Sequence, residues 1–366
     1  LTSVLLDAIS LGDDSAYRGI GTYVRGLLGG LVALEGETTV QLGALASDAA
    51  ELPPEVRRVP VSRAAPGRFR RLEHELRLPL DLARAPGDVF HSPGLDPPLI
   101  CRRPWVQTLH DVIPLQSDDP SLAVERGRWR RQAARYRRAA RVIAISEYTA
   151  QVGIATLGID PRRIEVVPHG VDPRYRPAGP GDGRDGDPYL LLVGEYSPRK
   201  RYPEAFSLIA ELARRGHPHR LHVTGRIAPW VRPTVEGLAA AALRPERIVL
   251  RDFVPDLVAE YQGASAMIMT SAAEGFGLPL LEAMACGVPV VAFANTAVTE
   301  VVGDGGVLVP DGEIGAMADA VAELLDDRTR HRAAVARGLA WSRRFTWAAS
   351  AAAHAAIYRA VVSSSR

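Results

Sequence analysis

Glu274 and Glu282 close the two ends of the run Glu274-Gly-Phe-Gly-Leu-Pro-Leu-Leu-Glu282, eight positions apart, with two glycines and a proline between them. Upstream, Ala264–Thr270 reads as a short buried strand. Downstream, Leu278–Ala285 reads as a helix with Pro279 in its first turn, where the missing N–H costs nothing. A strand that ends in a glycine loop and opens a helix is anion-binding geometry. The helix start presents N–H groups, and the glycines let a phosphate approach the backbone. Gly275, Phe276, Gly277 and Leu278 therefore form a candidate phosphate cradle. Glu282 falls about one turn into the helix and Glu274 just before the loop, so both can face one crevice. A carboxylate repels phosphate but accepts hydroxyl hydrogen bonds well. Two carboxylates beside a diphosphate cradle match a ligand with ribose, diphosphate and hexose in that order. A helix start that merely favours acidic residues through its dipole leaves Gly275, Gly277 and Pro279 unexplained together.

Pro198-Arg199-Lys200 follows the strand Tyr189–Val193 and its Gly194, and Lys200 is the only lysine in the chain. Two cations at a strand end could neutralise charge growing on a leaving diphosphate. Arg199 can fork to two oxygens, whereas Lys200 supplies a point charge. His110 ends the strand Trp105–Leu109. His91 ends a shorter one, and Ser146 stands where a strand end or a helix cap would use it. Asp185-Gly186-Asp187 spells a metal-nucleotide pattern, yet lies in a glycine-rich linker. No His/Cys cluster suggests zinc. The expectation is no essential metal and no cofactor.

The elements that must position these residues alternate. Ser3–Ile9, Thr39–Leu45, Asp88–His91, Trp105–Leu109, Val142–Ile145 and Ile164–Val167 read as short strands, with a helix over Tyr23–Leu34. Asp172–Pro188, rich in Pro, Gly and Asp, reads as a linker. The alternation then restarts with Tyr189–Val193, a helix from Tyr202, strands at Leu221–Thr224 and Ile248–Leu250, and a helix near Asp256–Gln262. Glu313–Leu325, Arg328–Arg343 and Phe345–Tyr358 read as closing helices. Short strands alternating with helices mean α/β domains with parallel sheets, whose ligands collect at the carboxyl ends of the strands.

A chain of 366 residues is natural for two such domains, and its hydrophobic content of 47% is that of a globular protein. The net charge of +2 argues against nucleic acid as a partner. No apolar run approaches the ~18 residues needed to span a bilayer. Leu1–Leu11 contains Asp7 and lacks a basic start, so it reads as a strand and not as a secretory signal. Two cysteines far apart, Cys101 and Cys286, fit a cytoplasmic protein without a disulfide framework. Arg126–Arg141 holds eight arginines, with Trp129 and Tyr136 among them, and Arg63–Arg77 is a second basic stretch. Such helices can rest on anionic membrane surfaces or simply face solvent.

The stretch from Glu274 through Cys286-Gly-Val-Pro-Val-Val291 resembles the signature of family 4 retaining glycosyltransferases. Thr299-Glu300-Val-Val-Gly-Asp-Gly-Gly-Val-Leu-Val-Pro310 fits the same family. So do Pro198-Arg-Lys200, Val167-Pro-His-Gly-Val-Asp172, Ile145-Ser-Glu147, His110-Asp111 and Gly19-Ile-Gly21, in the family's order and over nearly the whole chain. The resemblance implies the GT-B fold, two Rossmann-like domains with parallel sheets facing across a cleft. The expected division is 1–172, a linker over 173–187, a nucleotide-sugar domain over 188–343, and a final helix over 344–366 that crosses back to the first domain. It implies transfer of a hexose or deoxyhexose from a nucleotide-diphosphate sugar to a hydroxyl of a glycan, lipid-linked or natural-product acceptor, with anomeric configuration retained.

By the same resemblance Glu282 holds the ribose, Glu274 grips the hexose, and His110 hydrogen-bonds the sugar near the reaction centre. Gly19 and Gly21 form the first domain's loop toward the diphosphate, and Val254, after Phe253, reads the base through its backbone. Many members carry arginine after the strand glycine where this chain has Glu195, which shifts the phosphate role toward Arg199. Members with lipid-linked acceptors often contact membranes through basic helices. Mannosyl- and rhamnosyltransferase-like members have a similar first domain. The alternatives are a catalytically silent partner of another transferase, a GT-B epimerase, or a phosphorylase.

Overall fold

The computed structural model describes residues 2–12, 16, 18–34, 40–47, 50–60, 70–116, 120–179 and 187–365. Thr39, residues 63–69 of the second basic stretch, residues 180–186 of the linker, and hence Asp185 and Gly186, lie outside them. The chain divides into two compact units, Leu1–Gly170 with Phe345–Arg366, and Val171–Arg344.

The first unit is built on β1 (Thr2–Asp7), β2 (Val40–Ala46), β3 (Arg57–Pro60), β4 (Val89–Ser92), β5 (Trp105–Leu109), β6 (Arg141–Ala144) and β7 (Ile164–Val166). They form one sheet in the order β3-β2-β1-β4-β5-β6-β7, and every pairing is parallel. The chain steps outward from β1 to β3, then returns to the other side of β1 with β4. That reversal is the switch point at which open parallel sheets collect ligands. β4 and β5 are buried at every position, as strands covered by helices on both faces must be.

Helix Gly19–Ala33 buries Tyr23, Val24, Leu27, Leu28 and Leu31, a 3.6-period stripe turned to the core. Its Gly26 and Gly30 admit the last helix, Trp347–Ser364. A Cβ at Gly26 would stand 2.1 Å from Trp347 Cε2, and one at Gly30 2.5 Å from the Trp347 carbonyl oxygen. The last helix is started by Thr346, whose hydroxyl accepts the Ala349 N–H at 3.1 Å.

The second unit carries β8 (Tyr189–Val193), β9 (Arg220–Thr224), β10 (Ile248–Asp252), β11 (Ala266–Met269), β12 (Val290–Ala294) and β13 (Val307–Pro310). The order is β10-β9-β8-β11-β12-β13, again parallel throughout, with the reversal between β8 and β11. Its core joins Leu190 and Leu192 of β8 to Phe206 and Ile209 of helix Tyr202–Arg214, and to Met317 and Val321 of helix Ile314–Asp326. Among the described residues, no helix is long and apolar enough to cross a membrane.

Candidate functional site

In the second unit the four apolar residues of β11 are all buried, and the chain leaves them through Thr270 and Ser271 into the glycine loop. Gly277, at φ +107°, caps helix Leu278–Ala285 in a left-handed conformation that a side chain would strain. Pro279 sits in the first turn, as its sequence context requires. The Glu274 N–H is held by the Thr296 hydroxyl at 3.0 Å, which fixes the loop's entry. Gly275 is half-buried, Phe276 is buried, and Leu278 begins the helix, so the expected cradle residues run along one helix start.

Pairing of β8 with β11 brings the turn Pro198–Lys200 against this loop. The Thr270 hydroxyl donates to the Lys200 carbonyl at 2.8 Å, and the Ala272 N–H to the Arg199 carbonyl at 2.7 Å. Lys200 then turns back under Gly194, where a Cβ would lie 2.9 Å from its Cε and Nζ. Its Nζ reaches Glu274 Oε1 at 2.6 Å, and Arg199 Nη1 reaches the same oxygen at 3.0 Å while donating to the Ala273 carbonyl at 2.8 Å. The expectation placed the cations on phosphate and Glu274 on sugar. In the structure all three meet, with Glu274 as the shared anion. Burial alone would raise the Glu274 carboxyl. The charges of Lys200 and Arg199, with hydrogen bonds from Lys200 and Ser271, outweigh it and hold the pKa at about 2. Glu195, the departure from the family pattern, is half-buried directly after Gly194.

Glu282 stands one turn into the helix, only 7% exposed against 8% for Glu274. Its surroundings are of the opposite kind. The Tyr261 hydroxyl donates to its Oε2 at 2.6 Å, and among the described residues no cation pairs with it. Burial raises its carboxyl above the usual range, against hydrogen bonds from Tyr261 and Tyr175 and the charge of Arg174. Tyr175 and Arg174 belong to the segment read as linker. Tyr261 lies on the short helix Val258–Gly263. Sequence reasoning missed all three, because no spacing ties them to Glu282.

Val254 lies half-buried beyond the end of β10, beside Phe253 at 43% exposure. The corner before it is fixed by Asp252, at φ +57°, whose carboxylate accepts the N–H groups of Ile227 at 3.1 Å and Phe253 at 2.9 Å and pairs with Arg232.

The remaining expected residues lie in the first unit. Gly19 opens its helix with no heavy atom within 4 Å of where a Cβ would stand, and Gly21 is buried in the same turn. His110, 8% exposed at the end of β5, puts Nε2 2.6 Å from the Pro93 carbonyl. A carbonyl can only accept, so Nε2 carries the proton. Burial holds the ring's pKa at about 4, against that hydrogen bond, and a ring neutral at pH 7 keeps Nδ1 as an acceptor. His91 uses both nitrogens inside the core, Nε2 with the Thr108 hydroxyl at 2.8 Å and Nδ1 with the Tyr358 hydroxyl at 2.7 Å. Tyr23 joins the same network through Thr108 at 2.9 Å and His354 Nε2 at 2.7 Å. His91 is therefore a core residue. Ser146 caps helix Glu147–Leu157, its hydroxyl accepting the Thr149 N–H at 3.1 Å.

Two family models match this chain. The one for glycosyltransferase family 4 matches residues 17–175, and the one for group 1 glycosyl transferases matches residues 181–339. A D-inositol 3-phosphate glycosyltransferase of Pseudarthrobacter chlorophenolicus is 30% identical over 289 residues, covering 70% of this chain and 68% of the relative. The chain belongs to glycosyltransferase family 4. Sucrose-phosphate synthase from Thermosynechococcus elongatus superposes with a TM-score of 0.82 at 21% identity, covering 100% of both chains. The Anabaena protein HepE, solved with UDP and glucose, gives 0.77 at 18% identity, covering 98% of this chain and 100% of its own. At those identities the likeness concerns the fold, which is GT-B. The chain spans about half the length of the curated relatives that it first matches.

Proposed function

We propose that this family 4 chain is a retaining glycosyltransferase, moving a hexose or deoxyhexose from a nucleoside diphosphate sugar to a hydroxyl of a glycan, lipid-linked or small-molecule acceptor. The observation that carries the reading is the loop and helix start between two buried carboxylates of opposite character. Glu274 is held ionised by two cations, so it is a pure acceptor for sugar hydroxyls. Glu282 takes its hydrogen bonds from hydroxyl groups, those of Tyr261 and Tyr175, as a ribose site would. The Gly275–Leu278 backbone takes the diphosphate. Arg199, whose side chain is 36% exposed, can serve leaving-group charge while it touches Glu274. His110 accepts a sugar hydroxyl at Nδ1, and Gly19 and Gly21 serve the diphosphate. Val254 contributes backbone groups to the base. HepE's UDP and glucose support the donor class.

No enzyme nucleophile enters this scheme. The leaving phosphate takes the acceptor's proton on the face it leaves, so configuration is kept, and neither a metal nor another cofactor takes part. The test is transfer from UDP-, GDP- and dTDP-hexoses, with the anomeric configuration of the product read by NMR. A product with the donor's configuration is expected. An inverted product overturns the mechanism, and nucleotide binding with neither transfer nor hydrolysis would make the chain a silent partner.

The site of action we propose is the cytoplasm, with peripheral contact to anionic lipid. Supporting this, Leu76 and Leu80 stand 59% and 55% exposed one turn apart on helix Arg70–Arg84, and Ile100 is 58% exposed. Arg130 and Arg131 are exposed on helix Ala123–Arg138, which shares a core cluster with helix Arg70–Arg84.

A further inference from the structure

Glu282 is a buried carboxylate without an ion-pair partner among the described residues, and such a group is costly unless hydrogen bonds hold it. Two phenols surround it. Tyr261, 0% exposed, gives its proton to Oε2 at 2.6 Å. Tyr175, 6% exposed, meets the Tyr261 ring edge-on at a centroid distance of 5.6 Å and 82°. Arg174 donates to the Tyr175 hydroxyl at 3.0 Å, with its guanidinium carbon 4.9 Å from the centre of the same ring. Arg174 also faces Asp172, at 3.8 Å. A phenol fully occupied at one carboxylate oxygen fixes the plane of the group. A carboxylate that accepts from two phenols still has acceptor capacity for outside donors.

We propose that Tyr261 is a positioning residue that sets the Glu282 carboxylate for a vicinal diol, with Tyr175 and Arg174 supporting it from the 171–179 segment. This rests on the reading of Glu282 as the ribose site. The diol must meet a charged carboxylate, because a protonated one offers a donor where an acceptor is needed. Other groups around Glu282 press against its charge. Cys286, one turn on at the end of the helix, has its thiol pushed up to about 12, by burial first and then by Glu282. Asp172 disfavours the Glu282 charge as well, whereas Tyr261, Arg174 and Tyr175 favour it. Asp256 acts at one remove, on Arg174 and Cys286. The carboxyl lies above its usual range, so nucleotide affinity is complete above that raised pKa and is lost as pH falls through it. Without the Tyr261 hydroxyl the acid limb moves to higher pH.

The experiment is calorimetric titration of the full chain with whichever of UDP and GDP it binds, from pH 5 to 8; dTDP has no 2′-hydroxyl, and binding of dTDP in preference to both overturns the diol reading. The titration is repeated with the 2′,3′-dideoxy form of the nucleotide that binds, on the wild type, Tyr261→Phe and Glu282→Gln. Losing a hydrogen bond to a charged group should weaken binding roughly tenfold or more. The expected result is that loss in Tyr261→Phe, with the acid limb displaced upward and affinity for the dideoxy form unchanged. A merely structural tyrosine would weaken both ligands alike and leave the pH profile in place, which overturns the proposal. Wild-type affinity in Tyr261→Phe beside a weakened Glu282→Gln overturns it too, while leaving the ribose site intact. Unchanged affinity in Glu282→Gln overturns the ribose reading itself. Should Tyr261→Phe not fold, Tyr175→Phe takes its place, with a smaller loss in the same direction expected and no loss contradicting the proposal.

Discussion

At the scale of single residues, Glu274 and Glu282 show how burial alone decides little. Both are hidden to the same degree, yet one carboxyl sits far below its usual range and the other above it. The difference is what faces each. Breaking a buried pair by removing one partner costs more than the pair contributes net, because an uncompensated charge stays behind. Lys200→Met should therefore destabilise the protein by about 3 kcal/mol at pH 7. Glu274 has a depressed folded pKa, so its stabilisation is present above the unfolded value and fades as pH falls toward about 2. The gap between variant and wild type should shrink across that window in urea unfolding. Equal stability at pH 7 would show that Arg199 alone satisfies Glu274. The triad was half legible in the sequence: residue types and strand ends marked Arg199, Lys200 and Glu274, but the partner of each is settled only by the β8–β11 pairing. Tyr261 and Tyr175 were not legible at all. One lies on a six-residue helix and the other in a Pro- and Gly-rich stretch, and neither has a periodic relation to Glu282.

At the scale of elements, strands buried on both faces read clearly as short apolar runs, and their bounds moved by only a residue or two in most cases. The signature helix Leu278–Ala285 matches its sequence reading at both ends. Several elements escaped notice, β12 and β13 among them, and three have a plain physical reason. β3, Arg-Arg-Val-Pro, is an edge strand with mostly exposed positions and carries no hydrophobic signal. Helix Arg232–Ala240 opens with Arg-Pro and buries only Val235. Helix Arg70–Arg84 contains Pro79, which ordinarily breaks a helix, so it read only as a basic stretch. The last of these bears on function, because its exposed leucines and the arginines of Ala123–Arg138 are the proposed lipid contact. The full chain should sediment with vesicles containing anionic phospholipid but not with neutral ones. Arg130→Glu with Arg131→Glu should reduce that binding about thirtyfold or more, since each basic residue near such a surface contributes about 1 kcal/mol. Equal sedimentation of variant and wild type would remove this helix from the contact.

At the scale of the whole molecule, the same device is used twice. Each unit is a parallel sheet that reverses direction beside its first strand, between β1 and β4 in one and between β8 and β11 in the other. The glycine loop, the Arg199–Lys200 turn and His110 all sit at carboxyl ends of strands, where such sheets gather ligands. Alternation of strand and helix made two parallel α/β sheets readable in the sequence, whereas the strand order and its reversal were not, because alternation does not say which strands pair. The identity of the base was not readable, because Val254 would meet it through backbone atoms common to every residue.

The central claim, that the Gly275–Glu282 motif binds a nucleoside diphosphate without metal, is tested most directly by thermal unfolding with UDP, GDP and dTDP, each with and without magnesium, on the wild type and Glu282→Ala. A ligand at ~100 times its dissociation constant should add about 2.7 kcal/mol to the folded state. The account predicts a shift with one nucleotide, independent of magnesium and largely lost in Glu282→Ala. A shift that needs magnesium, or one that survives Glu282→Ala intact, would contradict it.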